Sequence, residues 1–214
     1  MHIAFSAMLF AGAVSPAVAQ FEENDLANAQ LVKVRSGGNR YFYANDKEGC
    51  PAIASRCRGK AYVIPGDLMV AYGVKGPFTK VENINARGRS TSGLIETVGL
   101  ERVATPQLAL SAWVGSWSAS ERHVDIKASK LAGLLLAEGE ATWGAGDPER
   151  VRNGAVHLGD FAGEIQPTKA GAMLTGHDNS ECQVKFRLLG PYLVVHDNLQ
   201  CGGVSVSFTG TYRK

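Results

Sequence analysis

The sequence predicts an all-β protein made of two successive antiparallel units. Its apolar segments are short and rich in β-branched residues, and turn-forming residues separate them, with glycine alone occurring 25 times. The segment 204–212 alternates apolar and polar residues with the period of two that is typical of a half-buried strand. The strand-like pattern pauses at Thr105-Pro106, because proline disfavours a helical conformation in the residue before it. We therefore expect one unit at residues 30–103 and another at 112–214.

The first unit is expected to contain six short strands. Pro65-Gly66-Asp67 predicts a tight reversal, because proline fixes its φ angle and glycine accepts a positive one. Lys75-Gly76-Pro77 and Ala86-Arg87-Gly88 mark the ends of the next two strands. Strands of this number and length are typical of a small barrel. The expected strands are 31–35, 41–43, 61–64, 68–72, 78–83 and 92–95.

The second unit is expected to contain eight strands after a helical turn at 108–111. The turn Leu189-Gly190-Pro191-Tyr192 joins two of them into an antiparallel hairpin. Closure would remove the exposed sheet edges, so an antiparallel eight-stranded barrel or a small sandwich is the expected architecture. The expected strands are 113–117, 123–128, 134–143, 155–166, 172–176, 183–189, 192–196 and 204–212.

Four short stretches of the first unit occur in the same order along the chain as the characteristic segments of a known domain family. They are Tyr41-Phe42-Tyr43, residues 62–67, residues 78–81 and Gly93-Leu94-Ile95. Together they resemble a bacterial SH3-like (SH3b) domain over residues 30–103. The resemblance implies a small β-barrel that binds wall peptides or accompanies cell-wall enzymes. Leu94 departs from the family, which often has an aromatic residue after that glycine.

The second unit carries two further resemblances. Its opening, Trp113-Val114-Gly115-Ser116-Trp117, contains a Gly-x-Trp that resembles the first strand of lipocalin-like (calycin) barrels. Its ending, residues 189–212, is similar to uncharacterised exported proteobacterial proteins in its Cys201-Gly202-Gly203 and Phe208-Thr209-Gly210 segments. These resemblances imply a closed barrel and an exported protein, and they imply no particular activity.

The first twenty residues contain no Lys, Arg, Asp or Glu and join a short apolar run to Ala17-Val18-Ala19. This pattern is typical of a secretory signal peptide that is cleaved after Ala19. The apolar run is shorter than the roughly 18 to 20 residues that a membrane-spanning helix needs. We therefore expect residues 1–19 to be removed and the mature protein to be periplasmic or secreted, without membrane insertion.

The four cysteines fall two in each unit, as Cys50 and Cys57 and as Cys182 and Cys201. An oxidising compartment favours disulfides over free thiols. Sequence alone permits three pairings, and we favour pairing neighbours, because each unit then has its own closed loop. A structural zinc site is the alternative, but neither spacing matches the close C-x2-C pairs of such sites.

The charge distribution gives no indication of nucleic acid binding. The net charge is +2, and residues 20–105 carry 12 Lys and Arg against 9 Asp and Glu. In an exported protein, this mildly basic half would face anionic wall polymers or simply water. Aromatic side chains offer contact area and basic ones hold carboxylates, although about half of the tyrosines are expected to be structural. The candidate ligand-binding residues, beside Arg40, are Tyr41, Tyr43, Tyr62, Tyr72, Arg56, Arg58 and Lys60.

No catalytic signature is present, and we expect no catalytic residues, cofactor or metal. His177-Asp178 and His196-Asp197 each join an imidazole to a carboxylate, but adjacent residues of a strand point to opposite faces. His123 and His157 lie on expected strands, where structural roles are the common ones. A wall hydrolase would need two acids at a suitable spacing, and nothing selects such a pair. The available acids are Glu138, Glu140, Asp147, Glu149, Asp160 and Glu164.

These observations lead to three functional hypotheses. The first is a non-enzymatic exported binding protein whose SH3-like module recognises a cell-wall peptide or an envelope protein. The second is a periplasmic inhibitor or immunity protein against a cell-wall hydrolase, similar in kind to lysozyme inhibitors. The third is a cell-wall hydrolase that uses acids of the second unit. The loop 143–150, which contains Trp143, is a further candidate partner surface, and a plain hairpin loop is the favoured interpretation of it.

Overall fold

The computed structural model describes residues 28–85, 88–106, 108–169, 171–175 and 181–214. The expected leader at 1–19 and the pair His177-Asp178 lie outside the described residues. Within these ranges, fifteen strands form two antiparallel sheets, which confirms the all-β fold class.

The first sheet has seven strands in the order β3-β2-β6-β5-β4-β1-β7. All six expected strands are present, and β7 is an additional one. Two short 3-10 helices, Ser55–Cys57 and Thr97–Gly99, precede β3 and β7. The strands are β1 (Gln30–Val34), β2 (Arg40–Tyr43), β3 (Arg58–Val63), β4 (Leu68–Lys75), β5 (Phe78–Ile84), β6 (Ser90–Glu96) and β7 (Leu100–Arg102).

The second sheet has eight strands in the order β11-β10-β9-β8-β15-β14-β13-β12. Its outer strands β11 and β12 also approach each other, so the sheet is a nearly closed barrel and the eight-stranded prediction is confirmed. Two short helices accompany it, α1 (Leu110–Trp113) and α2 (Pro148–Arg152). The strands are β8 (Gly115–Ala119), β9 (Arg122–Ala128), β10 (Leu135–Trp143), β11 (His157–Ile165), β12 (Ala172–Thr175), β13 (Gln183–Leu189), β14 (Tyr192–Asp197) and β15 (Gly210–Arg213).

The expected strand at 204–212 is wrong over most of its length, because β15 begins only at Gly210. Val204, which the alternation places in the core, is 77% exposed, and Ser205 has a positive φ of 70°. Val206 and Phe208 are nevertheless buried. The alternation therefore predicted the burial of Val206 and Phe208 correctly, although the segment that contains them is not paired as a strand.

A buried carboxylate replaces strand pairing in this segment. Asp197 is 3% exposed, and its Oδ1 accepts hydrogen bonds from Ser207 Oγ at 2.7 Å, Thr209 N at 3.0 Å and Thr209 Oγ1 at 2.6 Å. The Thr209 hydroxyl in turn accepts from the backbone N–H of Asp197 at 3.1 Å. These bonds satisfy the backbone N–H groups of Asp197 and Thr209 and the two hydroxyl groups without a neighbouring strand.

The two sheets share a buried core. Tyr192 Oη donates to the carbonyl oxygen of Leu68 at 2.7 Å, and the Arg213 guanidinium donates to that of Ile84 at 3.0 Å. These bonds and the apolar contact join the first sheet to the barrel. The buried residues of this shared core are Ala29, Leu31, Val70, Tyr72, Ile84, Leu189, Tyr192 and Val194.

Both expected disulfides are present, Cys50–Cys57 and Cys182–Cys201, so the zinc alternative is wrong. The first closes the loop between β2 and β3, and the second ties the residue before β13 to the segment after β14. Two disulfides indicate a non-reducing compartment. Among the residues described, no helix is long and apolar enough to cross a bilayer.

Candidate functional site

Strand β3 forms an edge of the first sheet, and its first five residues are all exposed. Among the strands of the described ranges, only β2 pairs with it, so within those ranges the outer side of β3 has backbone N–H and C=O groups without a neighbouring strand. Tyr62 lies opposite Tyr41 and Arg58 opposite Tyr43, with a register shift between the two pairs, so Arg58 and Tyr62 share the face of the two tyrosines. Lys60 lies within the shifted stretch and is exposed, and Val63 is buried. The edge therefore presents a basic and aromatic row to solvent.

Strand β2 adds tyrosines to the same row. Tyr41 lies directly opposite Tyr62 in the β2–β3 register, and the two ring centroids are 5.8 Å apart. The Arg58 guanidinium carbon lies 4.7 Å from the centroid of the Tyr41 ring, which is a cation–π distance. Tyr62 is 54% exposed, so this arrangement is open to a ligand. We call Tyr41, Tyr43, Tyr62, Arg58 and Lys60 the tyrosine–arginine surface.

Tyr43 occupies the inner border of this surface. It lies opposite Arg58 in the register, its hydroxyl donates to Glu96 Oε1 at 2.5 Å, and its ring packs 5.0 Å from that of Phe78. Burial raises the pKa of Tyr43, and the hydrogen bond to the Glu96 carboxylate raises it further. The phenol therefore stays protonated at neutral pH, and its ring is held in place for a ligand that contacts Arg58 or Tyr41.

The first disulfide lies between two basic residues at the start of β3. Cys57 is buried, its N–H donates to the carbonyl oxygen of Ala54 at 3.0 Å, and its own carbonyl accepts from Ala44 N at 2.8 Å. The candidates Arg56 and Arg58 flank this fixed residue and are both exposed. The staple thus holds the start of the edge strand against β2.

Tyr72 is not part of the surface. It is 3% exposed, and its hydroxyl contacts Thr211 Oγ1 of the barrel and donates to Glu82 Oε2 at 3.2 Å. Burial raises the pKa of Tyr72 well above its usual value. The run Leu68-Met69-Val70-Ala71-Tyr72 is apolar throughout, and this signal of a strand covered on both faces could have placed Tyr72 inside.

Of the histidine–carboxylate candidates, His196-Asp197 lies within the described residues, and its two side chains are not brought together as a site. Asp197 is buried and bonds to the segment after β14, whereas His196 lies on the other face of the strand and is partly exposed. His123 contacts Asp125 at 3.3 Å on the surface. His157 bonds to the carbonyl oxygen of Val204 and packs against Trp143, so it fastens the barrel end.

The candidate acids are distributed along β10, β11 and the loop between them. Glu138 pairs with Lys127 at 2.7 Å, Glu164 accepts from Ser129 Oγ at 2.5 Å, and Asp147 caps α2. Glu140 and Asp160 face each other across the β10–β11 register at exposed positions, and Glu149 is exposed in α2. Each acid thus has an ordinary place on a solvated surface or at a helix end.

A second feature, a groove at the junction between the sheets, had no signal in the sequence. It is lined by Trp113, Lys169, Arg187 and their neighbours, which come from three segments that only the fold brings together.

Among the described residues, no group of three or more His, Cys, Asp and Glu is placed to hold a metal ion. No protein-family model, curated protein or solved structure matches the sequence.

Proposed function

We propose that this is a non-enzymatic binding protein of the cell envelope that holds a carboxylate-bearing wall peptide or an envelope protein on the tyrosine–arginine surface. The observation that carries the proposal is the edge strand β3, which exposes five consecutive residues and stacks Arg58 on Tyr41. Tyrosine supplies contact area at little entropic cost, and arginine and lysine bind carboxylates. The resemblance to SH3-like domains, which implies binding of wall peptides, also supports the proposal.

The packing of the barrel supports binding on a surface. Large side chains from several strands fill its interior, and the barrel core includes Trp117, Phe186, Phe208 and Tyr212, each with at most 1% exposure. An eight-stranded barrel is just wide enough to be filled in this way. We infer that the barrel is a rigid support for the first sheet, to which the shared core fixes it.

Export fits the same proposal. The apolar start of the chain has the pattern of a signal peptide, and both disulfides require a compartment that does not reduce them. An exported protein with an aromatic and basic surface would meet wall peptides, whose carboxylates complement Arg58 and Lys60.

Co-sedimentation with purified peptidoglycan tests the proposal. We expect Arg58→Glu with Lys60→Glu to reduce retention at low salt about tenfold or more, because two attractive charges become repulsive. The matched control is Lys75→Glu with Lys130→Glu, which makes the same charge change at exposed positions away from β3. Equal retention of the two double variants would remove the surface from the proposal.

Two activity assays separate the alternatives. The same preparation is added to a wall hydrolase and, by itself, to a suspension of cell walls. Loss of the hydrolase's activity without retention on peptidoglycan would favour an inhibitor, and clearing of the suspension by the protein alone would favour an enzyme. Retention without either effect is the result that the binding proposal expects.

A further inference from the structure

Glu96, the last residue of β6, adds a negative charge to the border of the tyrosine–arginine surface. Tyr43 lies opposite Leu94 in the antiparallel β2–β6 pair, so Glu96, two residues after Leu94, lies along the strand on the same side of Tyr43 as Tyr41. The hydrogen bond from Tyr43 Oη to Glu96 Oε1 at 2.5 Å places the carboxylate on this face. The carboxylate and the Arg58 guanidinium thus come from the two strands on either side of β2.

The two charges act on the same phenol. Arg58 lies directly opposite Tyr43, and its guanidinium carbon is 4.7 Å from the centroid of the neighbouring Tyr41 ring. Burial raises the pKa of Tyr43, the Glu96 carboxylate raises it further, and the charge of Arg58 lowers it. A small ligand that lies over the Tyr41 and Tyr43 rings therefore meets a cation on one side and an anion on the other.

Glu96 has hydrogen-bonding capacity to spare. A carboxylate has about four acceptor sites, and within the described ranges the side chain of Glu96 accepts the bond from Tyr43. None of the ion pairs between described residues involves Glu96, and the residue is partly exposed. A positively charged group of a ligand can therefore approach this carboxylate from solvent.

We propose that the tyrosine–arginine surface and Glu96 together bind an amino-acid head group, in which an ammonium and a carboxylate are attached to one carbon atom. The inference rests on the proposed function and names the ligand group within it, a diamino-acid residue of a wall peptide whose side chain ends in such a head group. Arg58 and Lys60 hold its carboxylate, and Glu96 holds its ammonium. Because Glu96 repels other carboxylates, a peptide without the ammonium is disfavoured at the same place.

Acetylation of wall amino groups tests the role of the ammonium in the unaltered protein. The probe is purified peptidoglycan whose diamino acid carries a free amino group and a carboxylate. Acetylation turns each ammonium into a neutral amide, so the wall becomes more negative. A surface that only attracted carboxylates would retain the protein at least as well on the acetylated wall. We expect retention at low salt to fall about tenfold instead, because Glu96 loses its partner.

Variants assign this effect to one carboxylate. Glu96→Gln should be retained on the acetylated wall at least as well as on the untreated one. The control Glu149→Gln, at an exposed position in α2, should keep the preference for the untreated wall. Tyr43→Phe removes the hydrogen bond and leaves the Glu96 carboxylate in place, so it should also keep that preference. Loss of the preference in Tyr43→Phe would mean that Glu96 only positions Tyr43, which would overturn the inference.

The inference and the proposed function fail in different ways. If untreated peptidoglycan does not retain the unaltered protein, the proposed function is wrong and the inference is wrong with it. If retention withstands acetylation, or if Glu96→Gln keeps the preference, the ammonium site is wrong and carboxylate binding by Arg58 and Lys60 still stands. Circular dichroism checks that each variant is folded, and the acetylation experiment needs no variant.

Discussion

Asp197 shows what one buried side chain does for the segment around it. Its Oδ1 atom accepts three hydrogen bonds from Ser207 and Thr209, which lie in the segment before β15. Hydrogen bonds to a charged acceptor are roughly twice as strong as neutral ones. A carboxylate at this position therefore replaces the backbone ladder that a longer strand would have supplied.

Replacing Asp197 by Asn should destabilise the protein by about 1–3 kcal/mol, because the charge-assisted bonds are lost while the side-chain shape is kept. Urea unfolding measures this effect. The matched control is Asp160→Asn, which removes an exposed carboxylate from β11 and should change stability by less than about 0.5 kcal/mol. Equal midpoints for the two variants would mean that Asp197 does not hold the segment.

At the scale of elements, the Cys50–Cys57 disulfide fixes the start of β3. It closes a loop of 7 residues in sequence separation, and Cys57 is bonded to the backbone on both sides. An edge strand is held by one neighbour only, so a disulfide at the residue just before the strand compensates for the missing partner. We expect the position of Arg58 over the Tyr41 ring to depend on that disulfide.

Removing this bridge by Cys50→Ala with Cys57→Ala should cost about 2 kcal/mol, at the low end for disulfides because the loop is short. Hydrogen exchange should increase in β2 and β3 and leave the barrel strands unchanged. Cys182→Ala with Cys201→Ala is the control. In this variant, hydrogen exchange should increase around β13 and β14 instead. An unchanged exchange rate in β3 would show that the strand is held without the staple.

At the scale of the whole molecule, the two sheets form one packed unit because their facing strands share a core. Tyr72 of β4 reaches Thr211 of β15, and Tyr192 of β14 reaches Leu68 of β4. Glu82 of β5 is buried beside them and accepts from Tyr72 and from Ser90. We therefore expect both sheets to unfold in one cooperative transition.

The distribution of tryptophan makes this expectation testable. All three tryptophans, Trp113, Trp117 and Trp143, lie in or beside the barrel. Tyr72→Phe in the first sheet should lower the unfolding midpoint seen by tryptophan fluorescence, by an amount equivalent to about 1–3 kcal/mol, since Glu82 and Thr211 lose a buried partner. Tyr62→Phe, at an exposed position of the same sheet, is the control. If Tyr72→Phe leaves the unfolding midpoint seen by tryptophan fluorescence unchanged, the two sheets unfold separately.

Local patterns accounted for much of the fold. Turn residues and short β-branched runs located all six expected strands of the first sheet, and β13 has the predicted bounds Gln183–Leu189. The neighbour pairing of the cysteines was also predicted from sequence. The strand predicted at 204–212 failed, because the hydrogen bonds of Asp197 come from across a loop and leave no periodic trace in the sequence.

By itself, the sequence determined the all-β class, and it predicted the neighbour pairing of the cysteines and the candidate residues of the tyrosine–arginine surface. The tertiary structure alone decided that the barrel is what covers Tyr72, and that Arg187, Lys169 and Trp113 line one groove. The physical reason is the range of the interactions. Strand periodicity and turn chemistry act between neighbouring residues, whereas burial depends on which distant sheet covers a face.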